Sequence, residues 1–231
     1  MMKCRADPQS IVVLIPTLNE EWGLGPTMKE INHYLKDSSI LVVDGRSTDS
    51  TTEVAKSSGA SVIFQKGKGK GDAIATAIEH LEGAKLKYLV IIDADFTHPA
   101  VYFDEMIEIL EENPKVGMVC GNRFKAKLDF GDLSNKFRFG NKLLSFIHRF
   151  LSGVHMNDPL TGLRVIRWSI LKGWMPKSKG FDIEVELNRF IEKSGFSVVE
   201  IPIDYRCRIG KKKLGIRHGF TILKRIILDV F

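Results

Sequence analysis

Two aspartates separated by one residue follow an apolar run in the middle of the chain. The run, Tyr88–Ile92, is short, rich in β-branched residues and unbroken, which predicts a strand buried on both faces of a parallel sheet. Asp93 and Asp95 come directly after it. In open α/β sheets, ligands bind outside the carboxyl ends of the strands. We therefore expect both carboxylates to reach one ligand at that edge.

The chemistry of this pair favours a divalent cation. Two hard oxygen donors are typical ligands of Mg²⁺ or Mn²⁺ rather than of zinc. Such a cation often bridges protein carboxylates and a phosphate group. The alternative is structural: Asp93 would end the strand, and Asp95 would be a turn or helix-cap residue before a helix that starts near Pro99.

The elements around the pair alternate between apolar strands and helical patterns. Four strand–helix units in succession predict an α/β fold with a doubly wound, mostly parallel sheet and right-handed crossovers. The predicted strands are 11–16, 40–43, 61–64, 88–92, 116–120, 164–166 and 198–203. The main predicted helices are 26–36, a helix ending at Lys56, 72–81, a helix ending at Glu112, 135–151, 181–194 and the amphipathic basic segment 219–231.

Further polar residues are expected at the same edge. Asp44 ends the second predicted strand, and the basic glycine-rich loop 66–71 (KGKGKG) opens a helix whose N-terminus favours anions. A flexible basic loop is the structural alternative. Arginines in the second half complete a crevice suited to a pyrophosphate, namely Arg123, Arg164, Arg206 and Arg208.

Composition sets broader limits. The 231 residues carry a formal net charge of +6, which favours anionic partners. The three cysteines are too widely spaced for a disulfide framework or a metal site, which indicates a reducing compartment. The first ten residues lack a signal-peptide core, and no apolar run is long enough to span a bilayer, so a soluble or peripheral protein is expected.

Taken together, the motifs resemble those of family 2 inverting glycosyltransferases of the GT-A fold. Within that family they are similar to dolichol-phosphate mannose synthases and related polyprenyl-phosphate hexosyltransferases. The matching stretches occur in family order: IPTLNEE (15–21), VVDGRSTDST (42–51), GKGKGDA (67–73), DADFTHP (93–99), GNR (121–123), DPLTGLR (158–164), GFDIEVE (180–186) and EIPIDYRCRIGKKKL (200–214).

The resemblance implies a role for each matched residue. It implies one GT-A domain over 1–231, with a nucleotide-sugar half (1–123) and an acceptor half (124–231) that ends in the amphipathic basic helix. The implied nucleotide-sugar contacts are Pro16, Leu18, Glu20, Asp44, Lys70, Asp93, Ala94, Asp95, Arg206 and Lys213. The implied divalent cation (Mg²⁺ or Mn²⁺) would be held by Asp93 and Asp95, with Thr97 as a weaker ligand. Asp93, Asp95 and Arg123 are the implied catalytic residues, and Arg123 with Arg138 would bind the acceptor phosphate.

The implied reaction transfers a hexose from a nucleotide sugar to a polyprenyl (dolichyl) phosphate. GDP-mannose is the first choice of donor, and UDP-glucose or UDP-N-acetylglucosamine is the alternative because GKGKGDA resembles users of UDP-sugars. The resemblance places the enzyme in the cytoplasm, peripherally at the cytoplasmic face of a membrane, where a membrane-protein partner could hold it. Two departures concern Thr97, where the family often has Gln, and Arg46, which could alter the base preference.

Other classes of protein fit less well. Residues 93–97 (DADFT) also match the DxDxT motif of haloacid-dehalogenase-like phosphatases, but that motif usually opens the chain, and a convincing later acidic pair is missing. A sugar nucleotidyltransferase would need an N-terminal glycine-rich loop. A non-catalytic binding module would be expected to have lost one of the two aspartates. Nucleic-acid binding lacks a recognisable motif, so no nucleic-acid partner is expected.

Overall fold

The computed structural model describes residues 6–124, 135–152, 154–213 and 215–228. Within these ranges, one sheet has the strand order β3-β2-β1-β4-β6-β5-β7. The strands are β1 (Ile11–Thr17), β2 (Ser39–Asp44), β3 (Ser61–Phe64), β4 (Tyr88–Ile91), β5 (Val116–Asn122), β6 (Arg164–Arg167) and β7 (Ser197–Pro202). The helices are α1 (Glu21–Tyr34), α2 (Thr51–Ser57), α3 (Lys70–His80), α4 (Phe103–Glu112), α5 (Asn135–Ser152), α6 (Trp168–Leu171), α7 (Ile183–Lys193) and α8 (Ile216–Leu228), with short 3₁₀ turns at Pro8–Ser10 and Ala100–Tyr102.

The first four strands confirm the predicted parallel arrangement. β1 pairs in parallel with β2 and β4, and β2 pairs in parallel with β3. Their carboxyl ends therefore meet at one edge of the sheet. β4 is buried at all four positions, as its apolar sequence predicts for a strand covered on both faces.

β6 departs from the parallel pattern. It inserts between β4 and β5 and runs antiparallel to both, with Arg164 opposite Ile91 and Cys120. The start of β6 therefore lies beside the carboxyl ends of β4 and β5. This orientation brings the loop before β6, residues 158–163, to the same edge as Asp93.

Helices cover both faces of the sheet. One apolar cluster joins the sheet to α1, α2 and α4, and a second joins it to α3, α6 and α7. A third cluster, centred on Val185, Ile222 and Ile226, lies between α5, α7 and α8. Among the described residues, no helix combines the length and the apolar content needed to cross a bilayer.

α1 and α6 differ most from the sequence-based expectations, and α8 begins at Ile216, three residues before its predicted start. α1 begins at Glu21, five residues before the predicted start, and contains Pro26 within it. Gly23 in its first turn lies so close to the chain after β4 that a Cβ would be 2.7 Å from the Ala94 carbonyl oxygen. α6 was not predicted, because four residues are too few to show a helical period.

Candidate active site

A cavity of about 430 Å³ opens where β1 and β4 end. Its volume lies within the usual range for small-molecule sites. Ten of the residues predicted for the site line it: Pro16, Leu18, Glu20, Lys70, Asp93, Ala94, Asp95, Arg123, Arg206 and Lys213. The sequence-based site is thus brought together by the fold, apart from three residues considered below.

Asp93 lies at the floor of this cavity and pairs with Lys70. The Lys70 Nζ is 2.7 Å from an Asp93 carboxylate oxygen and 2.7 Å from a Glu184 carboxylate oxygen. Burial alone would raise the pKa of Asp93, but the adjacent Lys70 outweighs it and holds this pKa well below its usual range. Gly162 packs against the carboxylate, since a Cβ there would be 2.0 Å from Asp93 Oδ2.

Asp95 is fixed by its own turn and by a distant arginine. Its Oδ1 accepts hydrogen bonds from the Thr97 backbone N–H (3.1 Å) and from the Thr97 hydroxyl (2.6 Å). Its Oδ2 accepts from Arg208. The intervening Phe96 has φ +63°, a conformation that few bulky residues adopt and that turns the chain sharply here.

Thr97 lies outside the cavity lining, and its role as a metal ligand stays a prediction. Its side chain is buried, does not line the cavity and donates to Asp95. Its role in this structure is to hold the Asp95 carboxylate in place, because the hydroxyl is already engaged there.

Glu20 forms the third carboxylate of the wall. Its Oε1 accepts from Arg208 and Lys213, while its Oε2 is buried without a hydrogen-bond partner. Burial raises the pKa of Glu20 in spite of these two cations. Lys213 also donates to the Asn19 carbonyl oxygen at 3.0 Å. The segment after β7 therefore closes back onto the loop after β1.

Asp44 lies behind the cavity wall, and its implied contact with the nucleotide sugar stays a prediction. The side chain is fully buried and does not line the cavity. Its oxygens accept from the Ser47 backbone N–H (2.7 Å), the Ser47 hydroxyl (2.6 Å) and the Thr17 hydroxyl (3.1 Å). Arg46, with φ +64°, is exposed and does not line the cavity either.

The glycine-rich loop lines the cavity with Gly69 and Lys70, but its end at Gly71 packs against another segment of the protein. The Gly71 N–H donates to the Gly180 carbonyl oxygen (3.2 Å), and the Asp72 N–H donates to the Lys179 carbonyl oxygen (3.3 Å). A Cβ at Gly71 would be 2.2 Å from the Ser178 carbonyl oxygen. These glycines allow two backbone segments to meet, and these two N–H groups are not available to an anion.

Arg123 is clamped by a buried carboxylate. Its Nε and Nη2 each donate to Asp158 at 2.7 Å, and its backbone N–H donates to the same side chain at 3.0 Å. Glu200 accepts from the Asp158 backbone N–H at 2.7 Å and so fixes the loop. The Arg123 guanidinium also lies 5.3 Å from the centre of the Tyr205 ring. Arg138, the other predicted acceptor contact, has a side chain outside the described residues.

The remaining arginines divide between cavity and core. Arg206 lines the cavity, pairs bidentately with Glu30 (2.6 and 2.7 Å) and lies 4.4 Å from the centre of the Phe96 ring. Arg164, expected on the rim, is buried and donates to the carbonyl oxygens of Thr161 and Pro159. It supports the loop before β6 and does not line the cavity.

Several cavity residues were not assigned from the sequence. They include Glu184 of α7, Gln65 after β3, Tyr205 after β7, and an apolar group made of Leu160, Phe181 and Ile222. Gln65 is an ordinary polar residue in sequence, and only its position at a strand end could have identified it. The three apolar residues are far apart in the sequence, so no local pattern could have predicted that they form one group.

The carboxylate oxygens of the cavity wall are donor atoms of the type that binds a divalent cation. Mg²⁺ is commonly held by one or two carboxylates together with substrate phosphates. Asp93 and Asp95 supply two such carboxylates, and Glu20 adds a buried oxygen without a partner. Within the described ranges, no group of three or more His, Cys, Asp or Glu forms a complete metal cage. The residues therefore suit a cation that shares its ligands with a phosphate group.

Comparison with known proteins gives related sequences over most of the chain. Glycosyltransferase AglJ of Haloferax volcanii is 31% identical over 202 residues, which are 86% of this chain and 63% of that protein. The chain thus spans less than two thirds of the length of AglJ. A dolichyl-phosphate hexose transferase of the same organism is 28% identical over 223 residues, which are 95% of this chain and 93% of that protein.

A solved structure shares the fold. Glucosyl-3-phosphoglycerate synthase from Mycobacterium tuberculosis, crystallised with Mn²⁺, UDP and glucosyl-3-phosphoglycerate, aligns with a TM-score of 0.75 at 18% identity, covering 96% of this chain and 80% of that chain. At this identity the likeness concerns the GT-A fold alone.

The family model for glycosyl transferase family 2 matches residues 12–174. That range contains the Asp93–Thr97 stretch, which rules out the interpretation of this stretch as a phosphatase motif. The chain therefore belongs to glycosyl transferase family 2 and is a glycosyltransferase.

Proposed function

We propose that this enzyme transfers a hexose from a nucleotide sugar to a polyprenyl phosphate with the help of a divalent cation. The observation that supports this proposal is the composition of the cavity described above. Carboxylates and cations meet around Asp93 and Asp95, while Leu160, Phe181 and Ile222 provide apolar wall. A charged sugar donor and a lipid acceptor need these two environments side by side. The relative named dolichyl-phosphate hexose transferase supports this choice of acceptor.

The donor diphosphate would lie among the charged residues. A cation held by Asp93 and Asp95 would act as a Lewis acid on the departing nucleoside diphosphate. Arg206, Arg208 and Lys213 would add positive charge there as the leaving group develops negative charge. Lys70 lies beside Asp93 and would contact the donor from the glycine-rich side.

The acceptor would need no strong general base. The second pKa of a phosphate monoester is about 6, so the group is already a dianion near neutral pH. Direct attack of a phosphate oxygen on the anomeric carbon would displace the diphosphate and invert that centre. Arg123 would orient the acceptor phosphate, because a guanidinium has five N–H donors and Asp158 engages two of its nitrogens.

We infer GDP-mannose as the donor, with UDP-glucose or UDP-N-acetylglucosamine as the alternative. The alternative draws on GKGKGDA and on a neighbour of the same fold crystallised with UDP. The base would lie near Leu18 and Gln65, since Asp44 is enclosed. The Gln65 Nε2 donates to the Gly67 carbonyl oxygen at 3.0 Å, which leaves its Oε1 as an acceptor for a base N–H.

The same proposal places the enzyme at the cytoplasmic face of a membrane, where its lipid substrate would be. Residues 1–123 would supply most of the donor site and 124–231 most of the acceptor site. Arg206, Arg208 and Lys213 cross this division, because they pair with residues of the first half.

A thermal-shift panel tests the donor proposal. GDP, UDP, GDP-mannose, UDP-glucose and UDP-N-acetylglucosamine are each added with and without Mn²⁺, since a ligand that binds only the native state raises the melting temperature. We expect a metal-dependent shift with one base, and the Asp95→Asn variant should lose its metal-dependent part. The matching sugar is then assayed with polyprenyl phosphate and with unphosphorylated polyprenol, and only the phosphate should react. An absence of shift with all five ligands would overturn the donor proposal.

A further inference from the structure

Two amphipathic helices of the second half pack against each other through their inner faces. Ile222 and Ile226 of α8 are buried, and Leu144 and Ile147 of α5 pack against the cluster that contains them. Both helices thus already have an apolar side that the domain covers. Their folding does not require a second one.

A second apolar side is nevertheless present on α5. Leu143, Phe146 and Phe150 are 48%, 69% and 78% exposed and recur at intervals of three and four residues, so they share one face. The Phe146 and Phe150 rings lie nearly parallel with centres 6.5 Å apart. Lys142 and Arg149 are exposed on the same side of the helix.

α8 repeats this arrangement. Phe220 is 71% exposed, and Ile227 and Leu228 are 44% and 55% exposed. Lys224, one turn after Phe220, is exposed between them. We call the exposed apolar residues of the two helices, Leu143, Phe146, Phe150, Phe220, Ile227 and Leu228, the phenylalanine face.

We infer that the phenylalanine face docks on the surface of an anionic phospholipid membrane. Helices that lie in a membrane interface carry Phe and Leu on one face and Lys or Arg on the polar face. The basic residues here complement anionic headgroups, and single rings that project from a helix can enter the acyl boundary without a shaped pocket.

α8 contributes both to the phenylalanine face and to the cavity wall, and this position indicates a function for the face. His218 and Ile222 of α8 line the cavity, and Phe220 projects outward from the same helix. A membrane bound at Phe220 would lie next to the apolar part of the cavity wall. This step rests on the proposed lipid acceptor, because only a membrane-embedded substrate would benefit from that proximity.

Vesicle sedimentation tests the docking without any substrate. Wild type should bind phosphatidylcholine vesicles that contain phosphatidylglycerol and bind pure phosphatidylcholine less, and added salt should weaken the binding. The Phe146→Ser/Phe150→Ser variant should bind at least roughly tenfold more weakly, since two large apolar side chains no longer leave water. Lys142→Glu/Arg149→Glu/Lys224→Glu should cost roughly fivefold for each residue changed. Met175→Ser removes an exposed apolar side chain, 86% exposed, from the loop after α6, outside the phenylalanine face, and should bind like wild type.

The outcomes separate this inference from the proposed function. Nucleotide binding in solution should be the same in the double phenylalanine variant, and so should transfer to a short, water-soluble prenyl phosphate. Transfer to a long-chain acceptor in vesicles should fall. Equal sedimentation of wild type and the double variant would overturn the docking while leaving the donor proposal intact. The docking would also be overturned if wild type formed a dimer in ultracentrifugation, the double variant did not, and wild type failed to bind vesicles. The phenylalanine face would then join two copies of the chain.

Discussion

Acidic side chains at the sheet edge occur in two settings that differ in what surrounds them. The cavity wall has Asp93, Asp95 and Glu20, whose partners include long, flexible lysines and arginines. The layer behind the wall has Asp44 and Asp158, which are fully buried and bonded by nearby backbone and side-chain donors. A carboxylate that lines the cavity can exchange its cationic partner for a ligand. Asp158 also pairs with a cation, Arg123, but it is fully buried and is held by a backbone N–H as well, so it serves as support together with Asp44.

The largest expected effect is on stability, and it comes from the buried layer behind the cavity wall that contains Asp158. Asp158→Ala should lower the free energy of unfolding by about 3–5 kcal/mol, because it leaves the buried Arg123 charge without its partner. Chemical denaturation measures this loss. The double variant Asp158→Ala/Arg123→Met should be less destabilised than Asp158→Ala alone, since the unpaired charge is gone. A loss below about 1 kcal/mol in the single variant would be the value of an exposed pair and would contradict the assigned role.

The buried ring of His148 in α5 should also give the protein acid sensitivity. Burial, together with Arg164 and Arg189, lowers the pKa of His148 to about 4. The native state therefore keeps this ring neutral while the unfolded chain takes up a proton below pH of about 6.5. Stability should fall by up to about 3 kcal/mol as the pH drops from about 6.5 to 4.

The His148→Leu variant tests that assignment by unfolding at several pH values. Burial also lowers the pKa of His98 to about 4, so it contributes in the same range of pH. The variant should lose roughly half of the pH dependence over this window, because one of the two buried rings remains. An unchanged slope would show that His148 is protonated in the folded protein.

Substitution in the cavity wall should affect catalysis instead of folding. Asp95→Asn should reduce transfer by about a hundredfold or more, the usual result of removing one group that stabilises developing charge. Its thermal unfolding should change much less than that of Asp158→Ala, because the amide keeps the volume and can still accept from Thr97, and Arg208 keeps its pairing with Glu20. Turnover is measured with the donor selected by the thermal-shift panel. Wild-type turnover in this variant would refute the role of Asp95 at the diphosphate.

The sequence predicted the residues of the cavity wall better than the buried residues behind it. Buried parallel strands have continuous apolar sequences, so β1–β4 and the residues after them could be located, and Asp93 and Asp95 with them. The same rule placed Asp44 in the wall, whereas in the structure Ser47 and Thr17 enclose that carboxylate, which only the folded loop reveals. The antiparallel entry of β6 could not be predicted either, since it depends on pairing with β4 and β5.

The smallest expected effect is on nucleotide affinity and is tested by comparing two polar residues, Gln65 and Arg46. Gln65 lines the cavity with its amide oriented by the Gly67 carbonyl oxygen, whereas Arg46 is exposed and lies outside the lining. Gln65→Leu should weaken the preferred nucleotide about tenfold, since one hydrogen bond contributes about 1 kcal/mol and the leucine leaves the base N–H unpaired. Arg46→Gln should leave the affinity within about twofold, as expected for a surface change. Titration calorimetry with GDP and UDP measures both variants. The reverse result would move base selection to the loop after β2 and restore the base preference that the sequence alone assigned to Arg46.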